Sequence, residues 1–212
     1  MKSVRFLNCQ IDLSKWNFMP RAETEFWVGK VLKKLSFPKE AKLLKILDIF
    51  SGSGCIGIAI LRACPEQCRR VDFADVDEKA IKQIKINLKL NKINLGRYKI
   101  YKSDLFKNLP KKNYDYIFAN PPYVATERIR EVQPQVLKYE PGGALFGGKK
   151  GLIYIRKFLK EAKNFLTGQG FIFLEFSPEQ KEEIEKILLQ EKYKKCLFFK
   201  DQFKKYRFLK CY

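Results

Sequence analysis

The chain has 212 residues, of which 46% are hydrophobic and 14% aromatic, so it can bury a full core and is not a disordered chain. Histidine is absent, which excludes every mechanism that needs a histidine base and every histidine-ligated metal site. No apolar run reaches the roughly 18 residues of a membrane span. No signal-peptide core follows Met1, so the sequence predicts a cytoplasmic protein with no membrane partner.

The formal charge is +20, from 43 Lys and Arg residues against 23 Asp and Glu residues. This excess favours a polyanionic partner, such as RNA or the ribosome, that would contact a basic surface. An AT-rich genome explains the composition equally well, because the lysines are spread along the chain. The charge alone leaves both explanations open.

The six cysteines form no CxxC pair, and their spacing favours buried thiols. Cys64 and Cys68 lie one helical turn apart and could share a metal only with ligands from elsewhere in the chain. We therefore expect no metal site.

Taken in chain order, the predicted elements begin with a small hairpin within 3–13 and a helix over 24–35. After residue 45, apolar strands alternate with amphipathic helices, which indicates a doubly wound α/β fold with a mainly parallel sheet. The two last strands are joined directly, so they form an antiparallel pair and the sheet is mixed. Strands are predicted over 45–50, 70–75, 98–101, 114–119, 170–176, 194–199 and 206–212, and helices over 55–64, 78–90, 151–166 and 178–190.

A glycine-containing turn follows the first of these strands and opens the next helix. It comprises Asp48, Phe50, Ser51, Gly52, Ser53 and Gly54. Asp75, at the end of the next strand, can accept hydrogen bonds from both hydroxyls of a ribose. Asp48 at the mouth of the turn suits a cation, which favours S-adenosylmethionine over NAD. A tight turn with no ligand would show the same glycines.

A second motif, Asn120-Pro121-Pro122-Tyr123, follows the strand 114–119. Ligands of open α/β sheets bind beyond the carboxyl ends of the strands. The Asn120 side-chain oxygen and the Pro121 carbonyl can accept both N–H groups of a planar amine or amide, and Tyr123 offers a flat face. Asn-Pro is also a common turn dipeptide. The position directly after a strand favours the chemical interpretation.

These motifs resemble the S-adenosylmethionine-dependent amino-methyltransferases, and most closely the HemK/PrmC-type protein-glutamine N5-methyltransferases. The resemblance extends from about residue 18 to the end of the chain. Further matching segments are Pro20–Glu25 (PRAETE), the spacing from Asp75 to Asn87, Ser103–Phe106 (SDLF), the block from Tyr139 to Gly148, and the C-terminal hairpin.

Three departures from the family pattern stand out. Phe50 occupies a position where the family has glycine, Ala22 replaces a proline, and the family's Glu-x-Gly becomes Glu175-Phe176-Ser177. Only about 18 residues precede PRAETE, so the family's N-terminal helical domain has no counterpart in this sequence.

The resemblance implies a Rossmann-like class I methyltransferase fold, with a mixed seven-stranded sheet and helices on both faces. It divides the chain into an N-terminal hairpin and helix (1–40) and a catalytic domain (41–212). S-adenosyl-L-methionine would lie along Phe50–Gly54, with Asp75 on the ribose and Asp104 and Leu105 near the adenine. The acceptor would meet Asn120, Pro121, Pro122 and Tyr123. The implied substrate is the glutamine of the Gly-Gly-Gln motif in a peptide-chain release factor.

Two other functions remain open at this point. The same motif would serve an enzyme that methylates the exocyclic amine of adenine or guanine in RNA or DNA, which the +20 charge favours. A non-catalytic cofactor-binding module is suggested only by Phe50 and the short N-terminal segment, and the intact Asp75 and Asn120–Tyr123 argue against it.

Overall fold

A computed structural model describes residues 3–35, 43–63, 69–110 and 113–212. The N-terminal segment contains a two-stranded antiparallel hairpin, β1 (Ser3–Phe6) and β2 (Cys9–Asp12), followed by helix α1 (Ala22–Lys34). One face of α1 buries Trp27 and Val28 beneath the hairpin and against the main sheet.

Most of the remaining elements follow the predicted order, although the sequence did not predict the two short helices at Pro134–Tyr139 and Gly142–Leu145. One predicted helix shows how the sequence sets these elements. The side chain of Asp77 caps α3 by accepting a hydrogen bond from the Lys79 backbone, and apolar residues at four-residue spacing bury one face of that helix. The elements are β3 (Leu44–Ile49), α2 (Cys55–Arg62), β4 (Arg69–Asp75), α3 (Glu78–Leu90), β5 (Tyr98–Lys102), β6 (Tyr114–Ala119), α4 (Pro134–Tyr139), α5 (Gly142–Leu145), α6 (Ile153–Ala162), β7 (Leu166–Glu175), α7 (Lys181–Gln190), β8 (Leu197–Lys200) and β9 (Tyr206–Cys211).

The main sheet has seven strands in the order β5-β4-β3-β6-β7-β9-β8. Five strands are parallel, and β9 runs antiparallel to both β7 and β8. The predicted mixed seven-stranded sheet is therefore confirmed. The carboxyl ends of β3, β4, β5 and β6 lie along the same side of the sheet. The glycine turn, Asp75, the segment with Asp104 and Leu105, and the Asn120 motif lie at these four ends in turn.

The sheet is covered on both faces, which explains its nearly continuous apolar strands. Ile46 and Phe118 face the layer of α1, α2 and α3, whereas Leu47 and Ile117 face the layer of α6 and α7. This arrangement confirms the prediction of helices on both faces.

Several element bounds in the C-terminal half differ from prediction: β8 starts at Leu197 instead of residue 194, and α7 starts at Lys181, after a 3-10 turn over Pro178–Gln180. The helix expected over 151–166 is shorter, and Gly168, expected to end it, lies inside β7, which starts at Leu166 instead of residue 170. A register shift against β6, between Tyr114 and Tyr116, lets the extra residues join the strand. Pairing with the neighbouring strand, and not Gly168, thus sets where β7 starts.

The cysteines only partly follow the expectation of buried thiols. Cys9 and Cys55 are buried free thiols, whereas Cys196 and Cys211 form a disulfide, so the expectation was wrong for that pair. Cys64 and Cys68 lie outside the described residues. Within the described ranges, no three His, Cys, Asp or Glu side chains gather as metal ligands, and no helix combines the length and apolar character needed to cross a bilayer.

Candidate active site

The turn after β3 has the sharp backbone that its glycines predict, but one left-handed position is held by an aromatic residue. Gly52 and Gly54 have φ of 52° and 78°, and Phe50 has φ of 59°. A non-glycine residue in this conformation costs about 1–2 kcal/mol. The Phe50 ring makes edge-on contacts with Tyr154 and Phe158, at centroid distances of 6.1 and 6.3 Å, which offset that cost.

Hydrogen bonds hold the turn from behind. The hydroxyl of Ser51 donates to the Asp48 carbonyl at 2.6 Å and accepts from the Ala74 backbone at 2.9 Å. The carbonyl of Ser53 accepts from the side chain of Asn87 at 2.9 Å. These bonds lock the turn against β4 and α3.

Asp48 lies behind the turn, not at its mouth. Its carboxylate is buried and accepts a hydrogen bond from the Gly57 backbone at 2.9 Å. Burial raises the pKa of Asp48 well above its usual range. Its position supports the start of α2, and the carboxylate does not line the pocket described below.

Asp75 connects the turn to the next strand. One carboxylate oxygen accepts from the Gly52 backbone at 2.8 Å, and the other accepts from the Asp77 backbone at 2.9 Å. Burial raises the pKa of Asp75, although these bonds favour its charged form. Each carboxylate oxygen keeps further lone pairs, as a ribose-binding acid requires.

The turn after β5 presents one apolar and one charged side chain. Leu105 is buried and has φ of 52°, and its carbonyl accepts from the hydroxyl of Ser103 at 2.7 Å. The exposed carboxylate of Asp104 pairs with the ammonium of Lys107 at 2.5 Å. Leu105 can thus pack against a flat ring, while the charge of Asp104 is already partnered.

The Asn120 side chain is oriented by a directional chain of hydrogen bonds. Its amide nitrogen donates to the hydroxyl oxygen of Thr24 at 3.3 Å, and that hydroxyl donates to Glu175 at 2.7 Å. Because an ionised carboxylate can only accept, the direction of both bonds is set by Glu175. The amide oxygen of Asn120 is then the atom left to accept a hydrogen bond from a ligand.

Glu175 is a fully buried carboxylate that receives three side-chain donors. Besides Thr24, the indole N–H of Trp27 donates at 2.6 Å and the hydroxyl of Tyr123 at 2.9 Å. Burial raises the pKa of Glu175 despite these bonds. Sequence reasoning assigned no function to Glu175, Thr24 or Trp27. The Glu175-Phe176-Ser177 segment was the signal, noted only as a departure.

The backbone of the Asn120–Tyr123 motif is clamped by a glycine-containing loop. A Cβ on Gly147 would approach the Pro122 carbonyl to 2.5 Å, and one on Gly151 would approach the Tyr123 carbonyl to 1.9 Å. The side-chain amide of Gln180 donates to the same Tyr123 carbonyl at 2.8 Å. These contacts fix where the two prolines lie.

A bidentate ion pair ties the N-terminal segment to the far side of the site. The guanidinium of Arg21 donates to both carboxylate oxygens of Glu140, at 2.8 and 2.5 Å. Asn17 donates to the nearby carbonyl of Tyr139 at 3.0 Å. The PRAETE and Glu-Pro segments, matched separately in the sequence, therefore meet in space.

One pocket brings most of the predicted residues together. It contains Phe50, Gly52, Asp75, Asp104, Leu105, Asn120 and Pro122. Its other lining residues are Trp16, Phe18, Ile49, Ala74, Val76, Asp77, Ser103, Gly143, Ala144 and Tyr154. Six predicted residues lie outside the lining: Asp48, Ser51, Ser53, Gly54, Pro121 and Tyr123. The hydrogen bonds of Asp48, Ser51, Ser53 and Tyr123 support the pocket from behind. Trp16, Phe18 and Tyr154 were missed, because no local pattern distinguishes them from packing residues.

The chemistry of the pocket fits S-adenosylmethionine better than a phosphate-bearing nucleotide. Three carboxylates line it, and none of its described lining residues is Lys or Arg, although the chain carries a charge of +20. A phosphate would lack a cationic partner there, whereas a sulfonium or ammonium group is favoured by the negative charge.

Comparisons with known proteins agree with this geometry. Residues 30–139 match the family model of the methyltransferase small domain. The chain is 36% identical over 184 residues to a release factor glutamine methyltransferase of Thermodesulfovibrio yellowstonii, covering 87% of this chain and 64% of that protein. It is 32% identical over 215 residues to one of Clostridium botulinum, covering 98% of this chain and 72% of that protein. The chain thus spans less than two thirds of the first relative.

Among solved structures, a ribosomal protein L11 methylase from Lactobacillus delbrueckii subsp. bulgaricus superposes with a TM-score of 0.65 and covers 94% of this chain and 82% of that one. At 16% identity, this likeness supports the fold alone. The family match, the relatives and the fold agree with one another. The chain therefore belongs to the methyltransferase small-domain family, as a relative of the release factor glutamine methyltransferases.

Proposed function

We propose that this protein transfers a methyl group from S-adenosylmethionine to the side-chain amide of the glutamine in a release factor's Gly-Gly-Gln motif. One observation carries the proposal: Asn120 lines the same pocket as Asp75, and its amide oxygen is the atom left to accept. An acceptor amide and the cofactor's ribose can therefore be bound in one cavity. The similarity to the glutamine methyltransferases supports this substrate over others.

The cofactor would be held by the first half of the pocket. The carboxylate of Asp75 accepts the ribose hydroxyls, and Leu105 packs against the adenine. Asp104 lies beside it, and Gly52 lets the backbone approach closely. S-adenosylmethionine supplies the activated methyl group, so the protein mainly has to bind and orient the acceptor.

The acceptor amide would be held by the second half. An amide nitrogen is a weak nucleophile, because its lone pair is delocalised into the carbonyl. Asn120 Oδ1 and the Pro121 carbonyl each accept one N–H, which aims the nitrogen and stabilises the positive charge that develops on it. The Thr24–Glu175 chain keeps the Asn120 oxygen facing the acceptor. Tyr123 holds the end of the motif through the same carboxylate.

Mass spectrometry tests this proposal directly. The protein and S-adenosylmethionine are incubated with a release factor and, separately, with total RNA. We expect one added methyl on the Gly-Gly-Gln peptide. Asn120→Ala should lower kcat by about 10²–10³, as removing one positioned electrostatic group does elsewhere. Asn94→Ala is the control, since that exposed asparagine makes no capping hydrogen bond. Transfer to RNA alone would instead establish the exocyclic-amine methyltransferase.

We also propose that a rigid basic tip on the C-terminal hairpin contacts RNA near the substrate. The buried carboxylate of Asp201 accepts from the backbone of Phe203 at 2.9 Å and of Lys205 at 3.0 Å. Phe203 is 61% exposed. Lys200, Lys204 and Lys205 are exposed beside it, and none pairs with a carboxylate among the described residues. Exposed lysines around an aromatic ring suit phosphates and stacked bases.

The position of this tip connects it to the site. Glu175 pairs with Phe208, and the Phe176 backbone donates to the Arg207 carbonyl, so β9 starts at the edge where β7 ends. Binding to RNA should weaken with salt, with a slope of about 0.7 per neutralised phosphate for single strands. Replacing Lys204 and Lys205 by Gln should reduce that slope, whereas replacing the exposed Lys85 and Lys89 of α3 should not. Equal effects of both pairs would reject the tip as the contact.

A further inference from the structure

Trp16 lines the cofactor pocket and carries a buried hydrogen-bond donor. The residue is 6% exposed, and its indole N–H has no acceptor among the described residues. The indole nitrogen would lie 3.2 Å from a Cβ on Gly52, so the ring rests directly against the glycine turn. The Trp16 backbone donates to the buried side chain of Gln83 at 3.1 Å, which fixes the segment on α3.

A donor without an acceptor is an unfavourable feature of a folded protein. Leaving a buried N–H unpaired costs about 1–3 kcal/mol. Such groups are rare in native structures, and each calls for an explanation. An indole can only donate, so its partner must be an acceptor. Since Trp16 lines the pocket, the bound ligand is the natural source of that acceptor.

The other groups of the pocket indicate which ligand atom this is. The carboxylates of Asp75 and Asp77 can bind hydroxyl and ammonium groups, but they repel an anion, and the carboxylate of Asp104 is already paired with Lys107. The cofactor carries one anionic group, the carboxylate of its methionine part. Three other donors at the wall are already engaged: the backbone N–H of Gly52 with Asp75, the hydroxyl of Ser103 with Leu105, and the amide of Asn120 with Thr24. Tyr154 also lines the pocket, but its hydroxyl can accept as well as donate, whereas the indole of Trp16 can only donate.

We propose that the indole N–H of Trp16 donates a hydrogen bond to the carboxylate of the methionine part of S-adenosylmethionine. This assignment rests on the proposed function, because it takes the cofactor from it. Trp16 then provides what a lysine or arginine would provide in a less acidic pocket. It binds the cofactor's carboxylate without adding a positive charge that would repel the sulfonium.

Calorimetry with two ligands tests this bond. S-adenosylhomocysteine carries the carboxylate, whereas 5′-methylthioadenosine keeps the adenosine and the sulfur but lacks the amino-acid portion. Trp16→Phe keeps a ring and removes the N–H. We expect Trp16→Phe to raise the Kd of S-adenosylhomocysteine at least about tenfold, as the loss of a hydrogen bond to a charged group implies. Binding of 5′-methylthioadenosine should stay within about twofold of wild type, on the same reasoning.

The two ligands separate the possible failures. If Trp16→Phe weakens the binding of both ligands equally, the indole acts by packing alone. If it weakens the binding of neither, the indole makes no hydrogen bond to the ligand. Each outcome overturns the inference. Retained binding of 5′-methylthioadenosine also shows that the variant is folded. If wild type binds neither ligand, the proposed function itself fails.

Discussion

Replacing Thr24 by valine removes the hydroxyl that links Asn120 to Glu175 and leaves the side-chain shape nearly unchanged. Two bonds are lost: the 2.7 Å donation to the buried carboxylate and the 3.3 Å acceptance from the Asn120 amide. A hydrogen bond to a charged group contributes about 1.5–3 kcal/mol, and a neutral one about 0.5–1.5 kcal/mol. The first bond therefore governs stability, and the second governs the orientation of Asn120.

These magnitudes give two separate expectations. At about 2–4 °C per kcal/mol for a protein of this length, the lost carboxylate bond should lower Tm by about 3–12 °C. The lost orienting bond should lower kcat by about 2- to 10-fold. KM for S-adenosylmethionine should hardly change, because Thr24 does not line the pocket.

Thermal unfolding and steady-state methyl transfer measure both effects, and Thr24→Ser is the matched control. Serine restores the hydroxyl, so Tm and kcat should both recover most of the way to wild type. If the serine variant is as impaired as the valine variant, the hydroxyl is not responsible. Wild-type Tm and kcat in Thr24→Val would refute the directional chain altogether.

Three other changes test the site from different sides. In Gly151→Ala the new Cβ would meet the Tyr123 carbonyl, so the free energy of unfolding should fall by at least about 3 kcal/mol and Tm by about 6 °C or more. Gly168→Ala is the control and should leave Tm unchanged, because a Cβ there meets nothing within 4 Å. Tyr123→Phe should lower Tm by about 3–12 °C through the lost bond to Glu175 but leave kcat within about threefold, because the ring remains. Burial raises the pKa of Asp75, so calorimetric cofactor binding should weaken as pH falls through that raised value, and in Asp75→Asn it should be weaker and insensitive to pH over that range.

The sequence predicts elements well where local pattern and tertiary pairing agree. The helix predicted over 78–90 has the observed bounds, because its cap and its apolar spacing both lie within the segment. Strand β7 starts four residues earlier than predicted, because its start depends on pairing with β6 rather than on its own residues.

The site divides in the same way. The turn after β3, the acid at the end of β4 and the Asn120 motif each follow a strand and are visible as short patterns. The hydrogen bonds that support these motifs cannot be predicted from the sequence, because they join residues that are distant along the chain. Thr24 and Glu175 are separated by 151 positions, and Arg21 and Glu140 by 119. No single-sequence pattern relates such positions, and the role of Trp16 likewise depends on its contact with Gly52.

The Glu175 cluster also bears on the order in which this protein can become competent. Thr24 and Trp27 leave the ribosome early during synthesis. Glu175, which accepts their hydrogen bonds, is made about 150 residues later, on strand β7. Until β7 is in place beside β6, those donors have no buried acceptor and the Asn120 amide has no fixed direction. The glycine turn, Asp75 and Asn120 will already have been synthesised by then. The site can therefore orient an acceptor amide only after the sheet has been completed.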